Sequence, residues 1–134
     1  MQNMSGGKTA LGLDANIGAM LCYLANLIPC CLPLGLVYSV IVILQDKSNK
    51  LTRFHAFQSI LLSAIAVIVG MIFSMIFGTA MLTDSRAMFG LGGLVYSVAA
   101  LAMLAAIIFA SIKAFQGQIF KIPVIGDLAD KWSN

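Results

Sequence analysis

The sequence predicts an all-α fold, a polytopic transmembrane helical bundle with three crossings and an interfacial C-terminal segment. Three observations carry this expectation. Of 134 residues, 60% are hydrophobic and 10% charged, and the mean hydropathy of +0.98 lies outside the range of a domain with a solvated surface. The charges gather in short intervals and leave residues 15–45, 54–83 and 87–112 uncharged; each stretch exceeds the roughly 20 apolar residues that carry a helix across a bilayer. The stretches are also continuously apolar, without the alternation that the strands of a membrane β-barrel need.

The elements follow in chain order. The opening MQNMSGGKTALGLD is polar and glycine-containing, so residues 1–13 read as a flexible lead-in to a transmembrane domain over 14–113. A cleaved leader is not expected, because Lys8 is the sole early positive charge and Asp14 precedes the apolar run. PCCLP breaks the first hydrophobic region, since Pro29 and Pro33 each remove a backbone donor and clash with the preceding turn. The pieces on either side, 15–28 and 34–45, are about 21 Å and about 18 Å long as helices, against a hydrocarbon core of about 30 Å. One crossing kinked at PCCLP is expected, because a turn inside lipid frees backbone polar groups. The alternative is a hairpin of two short helices, which gives four helices in the membrane domain. Cys22, Cys30 and Cys31 read as small apolar side chains, with no CxxC pair beside them.

The second helix, about 54–81, carries small residues at helical spacing: Ser59, Ser63, Ala66, Gly70, Ser74 and Gly78. The third, about 88–113, carries Ala102, Ala106 and Ala110, with Ala114 just beyond. Small residues on one face let helix backbones approach closely, the main source of packing energy in lipid. The two stripes are expected to face each other or a second copy, so Gly70→Leu should cost more than Leu62→Ala. The tail, 114–134, is too broken by Gly117, Pro123 and Gly126 to span. Its interleaved aromatics and charges predict an interfacial segment with a short helix near Leu128 to Trp132.

Charge placement sets the expected orientation. Lys47, Lys50 and Arg53 lie in one loop and Lys113, Lys121 and Lys131 in the tail, whereas the loop between the last two helices has Arg86 beside Asp84. By the positive-inside rule the first two segments face the cytoplasm of a cell (inner) membrane. The net charge of +3 forms no patch with interleaved aromatics, so nucleic acid is not an expected partner. The expected partners are the bilayer and another copy or other membrane proteins.

No catalytic constellation is legible. All five acidic residues are aspartates at helix ends or in loops, the single histidine, His55, begins a helix, and no metal, phosphate or dinucleotide motif occurs. No cofactor or metal is expected, and the chain reads as a non-enzyme. The polar residues that remain are Arg53, His55, Gln58 and Ser59 at the mouth of the second helix. His55, Gln58 and Ser59 share a helical face. The tail should return to this end and lay IPVIGDLAD over RFHAFQ. Asp127 or Asp130 would then pair with Arg53, while Ile125 and Leu128 cover Phe54 or Phe57.

Three segments, KTALGLDANIGAMLCYL, KLTRFHAFQSILL and KAFQGQIFKIPVIGDLADKW, resemble the landmarks of a family of small bacterial and archaeal membrane proteins. That family is similar to the Tic-twenty-like component of the chloroplast inner-envelope protein translocon and to the magnetosome membrane proteins MamF and MmsF. The resemblance implies a compact helical bundle that packs or organises a membrane assembly. Its translocon branch implies the alternative, a subunit of an oligomeric pore.

Overall fold

The computed structural model describes residues 7–28, 34–47 and 49–133. They form five α-helices, α1 (Ala15–Leu24), α2 (Leu34–Gln45), α3 (Lys50–Leu82), α4 (Arg86–Phe115) and α5 (Ile125–Ser133), with a short 3-10 turn, Ala25–Leu27, after α1. No strand occurs among the described residues.

The two long helices form an antiparallel hairpin, and each is long and apolar enough to cross a membrane. With 33 and 30 residues they extend about 50 Å and about 45 Å. Their starts are set by local chemistry. Asn49 accepts from the Thr52 amide at the N-terminus of α3, and Ser85 accepts from the Met88 amide at that of α4. Asp84, at φ +48, makes the tight reversal between them; aspartate is among the few residues that adopt a left-handed backbone readily.

The first hydrophobic region does not form one kinked crossing. PCCLP lies outside the described residues, but the helices flanking it are settled by their partners. Thr52 Oγ1 reaches the Ala15 carbonyl, Ser59 Oγ donates to the Cys22 carbonyl, and Ser63 Oγ points to Asn26 Oδ1, each pair 37 positions apart. A constant offset means that α1 runs parallel to α3, from the level of Thr52 up to that of Ser63. α2 then returns, since Arg53 donates to the carbonyls of Ile43 and Asp46. Both ends of the region therefore lie beside the start of α3, and α1 and α2 form the short hairpin that the sequence left as its alternative. Here Asn26 and Ser59 hold the end of α1, and Asn26 fills the space beside Gly35, where a Cβ would collide with its amide.

The core sits at this one end. Ala15, Ala19 and Tyr23 of α1, Leu51, Phe54 and Leu62 of α3, Ala110 and Ala114 of α4, and Ile125 and Ala129 of α5 pack in one buried cluster. Cys22, Val42 and Ala56 join α2 to it in a smaller one.

Candidate functional site

The polar residues of α3 lead into two hydrogen-bonded groups. In the first, the Gln118 carbonyl can only accept, so His55 Nε2 carries a proton and donates to it at 3.1 Å. His55 Nδ1 then accepts, and the Tyr23 hydroxyl donates to it at 3.0 Å. Tyr23 Oη in turn accepts from Gln58 Nε2 at 2.9 Å. The same amide nitrogen donates to the Phe120 carbonyl at 3.1 Å, and Gln58 Oε1 accepts from the Ile122 amide at 3.2 Å. Tyr23, His55 and Gln58 are all fully buried. Each donor and acceptor in this hydrogen-bonded series has one consistent assignment: His55 and Gln58 of α3 bind the backbone of 118–122, and Tyr23 of α1 bridges the two side chains.

The second group lies a turn further along α3. Asn26 Nδ2 donates to Ser59 Oγ at 3.0 Å, Ser59 Oγ donates to the Cys22 carbonyl at 2.6 Å, and Ser63 Oγ donates to its own helix at Ser59 O at 2.9 Å. Ser59 thus serves α1 rather than the His55 and Gln58 group. Asn16, at the start of α1, donates to the Phe115 carbonyl at the end of α4. Asn16, Tyr23 and Asn26 carry no weight in the sequence reading, yet their spacing of seven and three puts them on one helical face, matching the face of His55, Gln58 and Ser59.

α5 lies on α3, but its charges pair differently from the expected ion pair with Arg53. Asp130 binds Lys121 at 2.9 Å and Lys50 at 3.5 Å, and Asp127 binds Lys121 at 3.0 Å. Lys121, within the tail itself, is nearer to both carboxylates than any residue of α3. Arg53 turns the other way, to the α2 carbonyls and to the face of Phe57 at 5.8 Å. The hydrogen bond from Lys121, reinforced by its charge and that of Lys50, holds the Asp130 carboxyl below its ordinary value, and Asp130, then Asp127, raise Lys121. Ile125 is buried in the cluster that holds Phe54. Leu128 is exposed, and Trp132 covers Phe57 in its place, edge to face at 6.1 Å. Gly126 is required where α5 begins, since a Cβ there would come within 2.6 Å of the Lys121 backbone.

The small-residue stripes do not meet within the chain. Ala66 and Gly70 of α3 face Tyr96, Ala99, Ala100, Met103 and Leu104 of α4 across a cleft of about 260 Å³. A Cβ on Gly70 or Gly78 would touch nothing within 4 Å, and Ser74 and Ala102 are exposed while Ala106 is half-buried. The long helices touch instead near their loop, through Phe73, Phe77, Phe89 and Tyr96, and at their other end, where Ala110 and Ala114 are buried. Leu62, off the stripe, is the residue that the core buries.

Fold and site together define a helical membrane protein whose C-terminal segment is built into its bundle. The chain belongs to the magnetosome magnetite crystal formation protein family, whose pattern it matches over residues 14–129. It is 33% identical to the UPF0132 membrane protein MJ1443 of Methanocaldococcus jannaschii over 127 residues, which cover 95% of this chain and 96% of that one. A second protein of that organism, the UPF0132 membrane protein MJ1527, is 30% identical over 92% of this chain and 73% of its own length. A UPF0132 membrane protein of Archaeoglobus fulgidus is 30% identical over 75% of this chain and 92% of its own. No solved structure matches.

Proposed function

We propose that the chain is a small integral membrane protein without enzymatic activity, a packing and organising component of a membrane assembly. The observation that supports this is how its buried polar groups are spent. Tyr23, His55 and Gln58 direct their hydrogen bonds to one another and to the tail backbone, so none of these three side chains is free to serve as nucleophile or base. Residues 14–113 form the transmembrane domain and 114–134 the tail. α3 and α4 cross the bilayer, and the α1–α2 hairpin enters it from the side that holds the termini. Lys47, Lys50, Arg53, Lys113, Lys121 and Lys131 belong to that side, so it is the cytoplasmic side of the cell (inner) membrane. From the family's description we carry over the membrane setting alone.

Cysteine labelling tests the placement in a background whose native cysteines are replaced by alanine. An impermeant reagent should label Ser85→Cys in intact cells, and Lys50→Cys and Lys121→Cys only after permeabilisation. Labelling of position 85 from the cytoplasmic side alone would overturn the assignment. The translocon resemblance offers a pore subunit as the second reading. A conducting path needs polar groups at mid-membrane depth, and the open cleft between α3 and α4 is lined mainly by alanine, glycine and aliphatic side chains. Current through planar bilayers above the lipid background, from the purified protein, would replace the organising role with the pore.

A further inference from the structure

The bundle differs in thickness along its length. Between Lys50 and Ser63, α3 is flanked by α1 and α2, and α5 lies against it as well. Beyond Ser63 the flank ends. From Ala64 to Leu82 only Phe73 and Ala80 are buried, and from Arg86 to Phe109 no residue of α4 is. α1 and α2, at 10 and 12 residues, are about 15 Å and about 18 Å long, roughly half of a hydrocarbon core of about 30 Å.

The short hairpin carries its own lipid-facing surface. Val37, Val40, Ile41 and Leu44 of α2 are exposed, so the hairpin presents an apolar side to its surroundings rather than a wettable one. A helix with its side chains is about 10–12 Å across, so the hairpin adds roughly 200 Å² of cross-section to the leaflet it enters and none to the other. α5 adds to the same side, with Val124, Leu128 and Trp132 exposed where an interfacial helix would meet headgroups.

We propose that the chain is a membrane wedge: it takes up more area in the leaflet that holds its termini, and so prefers membrane curved with that leaflet convex. At high density it imposes that curvature. The faces of α3 and α4 beyond Ser63 are covered by acyl chains of the opposite leaflet. This rests on the reading that α3 and α4 cross the bilayer.

The test uses the full-length protein labelled with a fluorophore at Lys131→Cys, in the alanine background, in giant vesicles of phosphatidylcholine and phosphatidylglycerol. Narrow tethers are pulled from them, and an impermeant quencher outside separates the two orientations. Molecules with their termini outside should be enriched roughly two- to threefold per unit area in the tether, whose outer leaflet is convex, and those with termini inside should be depleted. Equal density of both orientations in tether and vesicle overturns the wedge, as does the reverse sorting. Equal density is also the result if a second copy covers the thin half and restores a cylindrical shape. A parallel sample labelled at Ser85→Cys reads the crossing itself. If its quenchable fraction tracks that of Lys131→Cys instead of complementing it, the bilayer-crossing reading fails and the wedge falls with it.

Discussion

The two ends of the α3–α4 hairpin are assembled by different chemistry. At the end where α3 begins and α4 finishes, helices α1 to α4 and the tail meet around fully buried Tyr23, His55, Gln58 and Ser59, with their polar groups bonded across elements. At the loop end two helices meet through a few aromatic rings, and only 11% of the most apolar window of either long helix is buried. The difference follows from the solvent. Apolar side chains already in lipid gain little by moving against one another, so specific association relies on close packing and on hydrogen bonds with no water to compete. The chain concentrates both at one end and leaves the other to the bilayer.

The largest effect should come from breaking the hydrogen-bonded end at its centre. Gln58→Leu keeps the volume but strands the Phe120 carbonyl and the Ile122 amide and removes the bond that Tyr23 Oη accepts, leaving Tyr23 its bond to His55. Each stranded group costs about 1–3 kcal/mol, so a loss of about 3 kcal/mol or more is expected, read as thermal unfolding in detergent. An unchanged midpoint would mean that the network does not hold the bundle.

Leu62→Ala and Gly70→Leu sharpen the contrast further. Leu62 is buried in the core, and its truncation should cost about 2–4 kcal/mol. Gly70 opens onto the cleft with nothing within 4 Å of a Cβ, so Gly70→Leu should change stability by about 0.5 kcal/mol or less. This order reverses the one that the small-residue stripe suggested. A larger loss for Gly70→Leu would mean that the cleft is closed by a second copy.

The smallest effect lies in the tail's ion pairs, which are partly exposed. Because the Asp130 carboxyl is held below its ordinary value near 3.8, its contribution to tail docking is complete above that value. It is lost as the pH falls through the lower value of the folded state. Proteolytic release of α5 should therefore increase on acidification below about pH 4 in the wild type, and Asp130→Asn should flatten that dependence. Identical pH profiles would remove Asp130 from the docking.

Much of this division was legible and some was not, for physical reasons. Long uncharged runs announce α3 and α4, but the expected starts near 54 and 88 fall inside the helices, which begin at Lys50 and Arg86 behind the capping side chains of Asn49 and Ser85, local chemistry that the search for uncharged runs passes over. Spacing told which residues share a face of α3 but not what that face meets. Gly70 and Ser59 lie on one stripe, yet only the part near Ser59 has a helix packed against it. The pairing of α1 with α3 could not be read, because it depends on the direction in which the chain leaves PCCLP. Tyr23 and Asn26 were passed over as isolated polar residues in an apolar helix, where a buried hydroxyl or amide is costly enough to imply a partner. Arg53 was matched to the aspartates by charge and side of the membrane. Lys121, six positions before Asp127, was the shorter route.

The attachment of the tail to α3 is the claim on which the contrast between the ends rests, and the Ile122 amide reports it most directly. Its hydrogen bond runs to a side chain 64 positions away, Gln58 Oε1, rather than to a neighbouring turn. Amide hydrogen exchange followed by NMR in nanodiscs should find Ile122 protected in the wild type and exchanging freely in Gln58→Leu, with α4 amides unchanged. Exchange of Ile122 at the rate of an unstructured peptide in the wild-type protein would contradict the clamp and leave the tail free on the membrane surface.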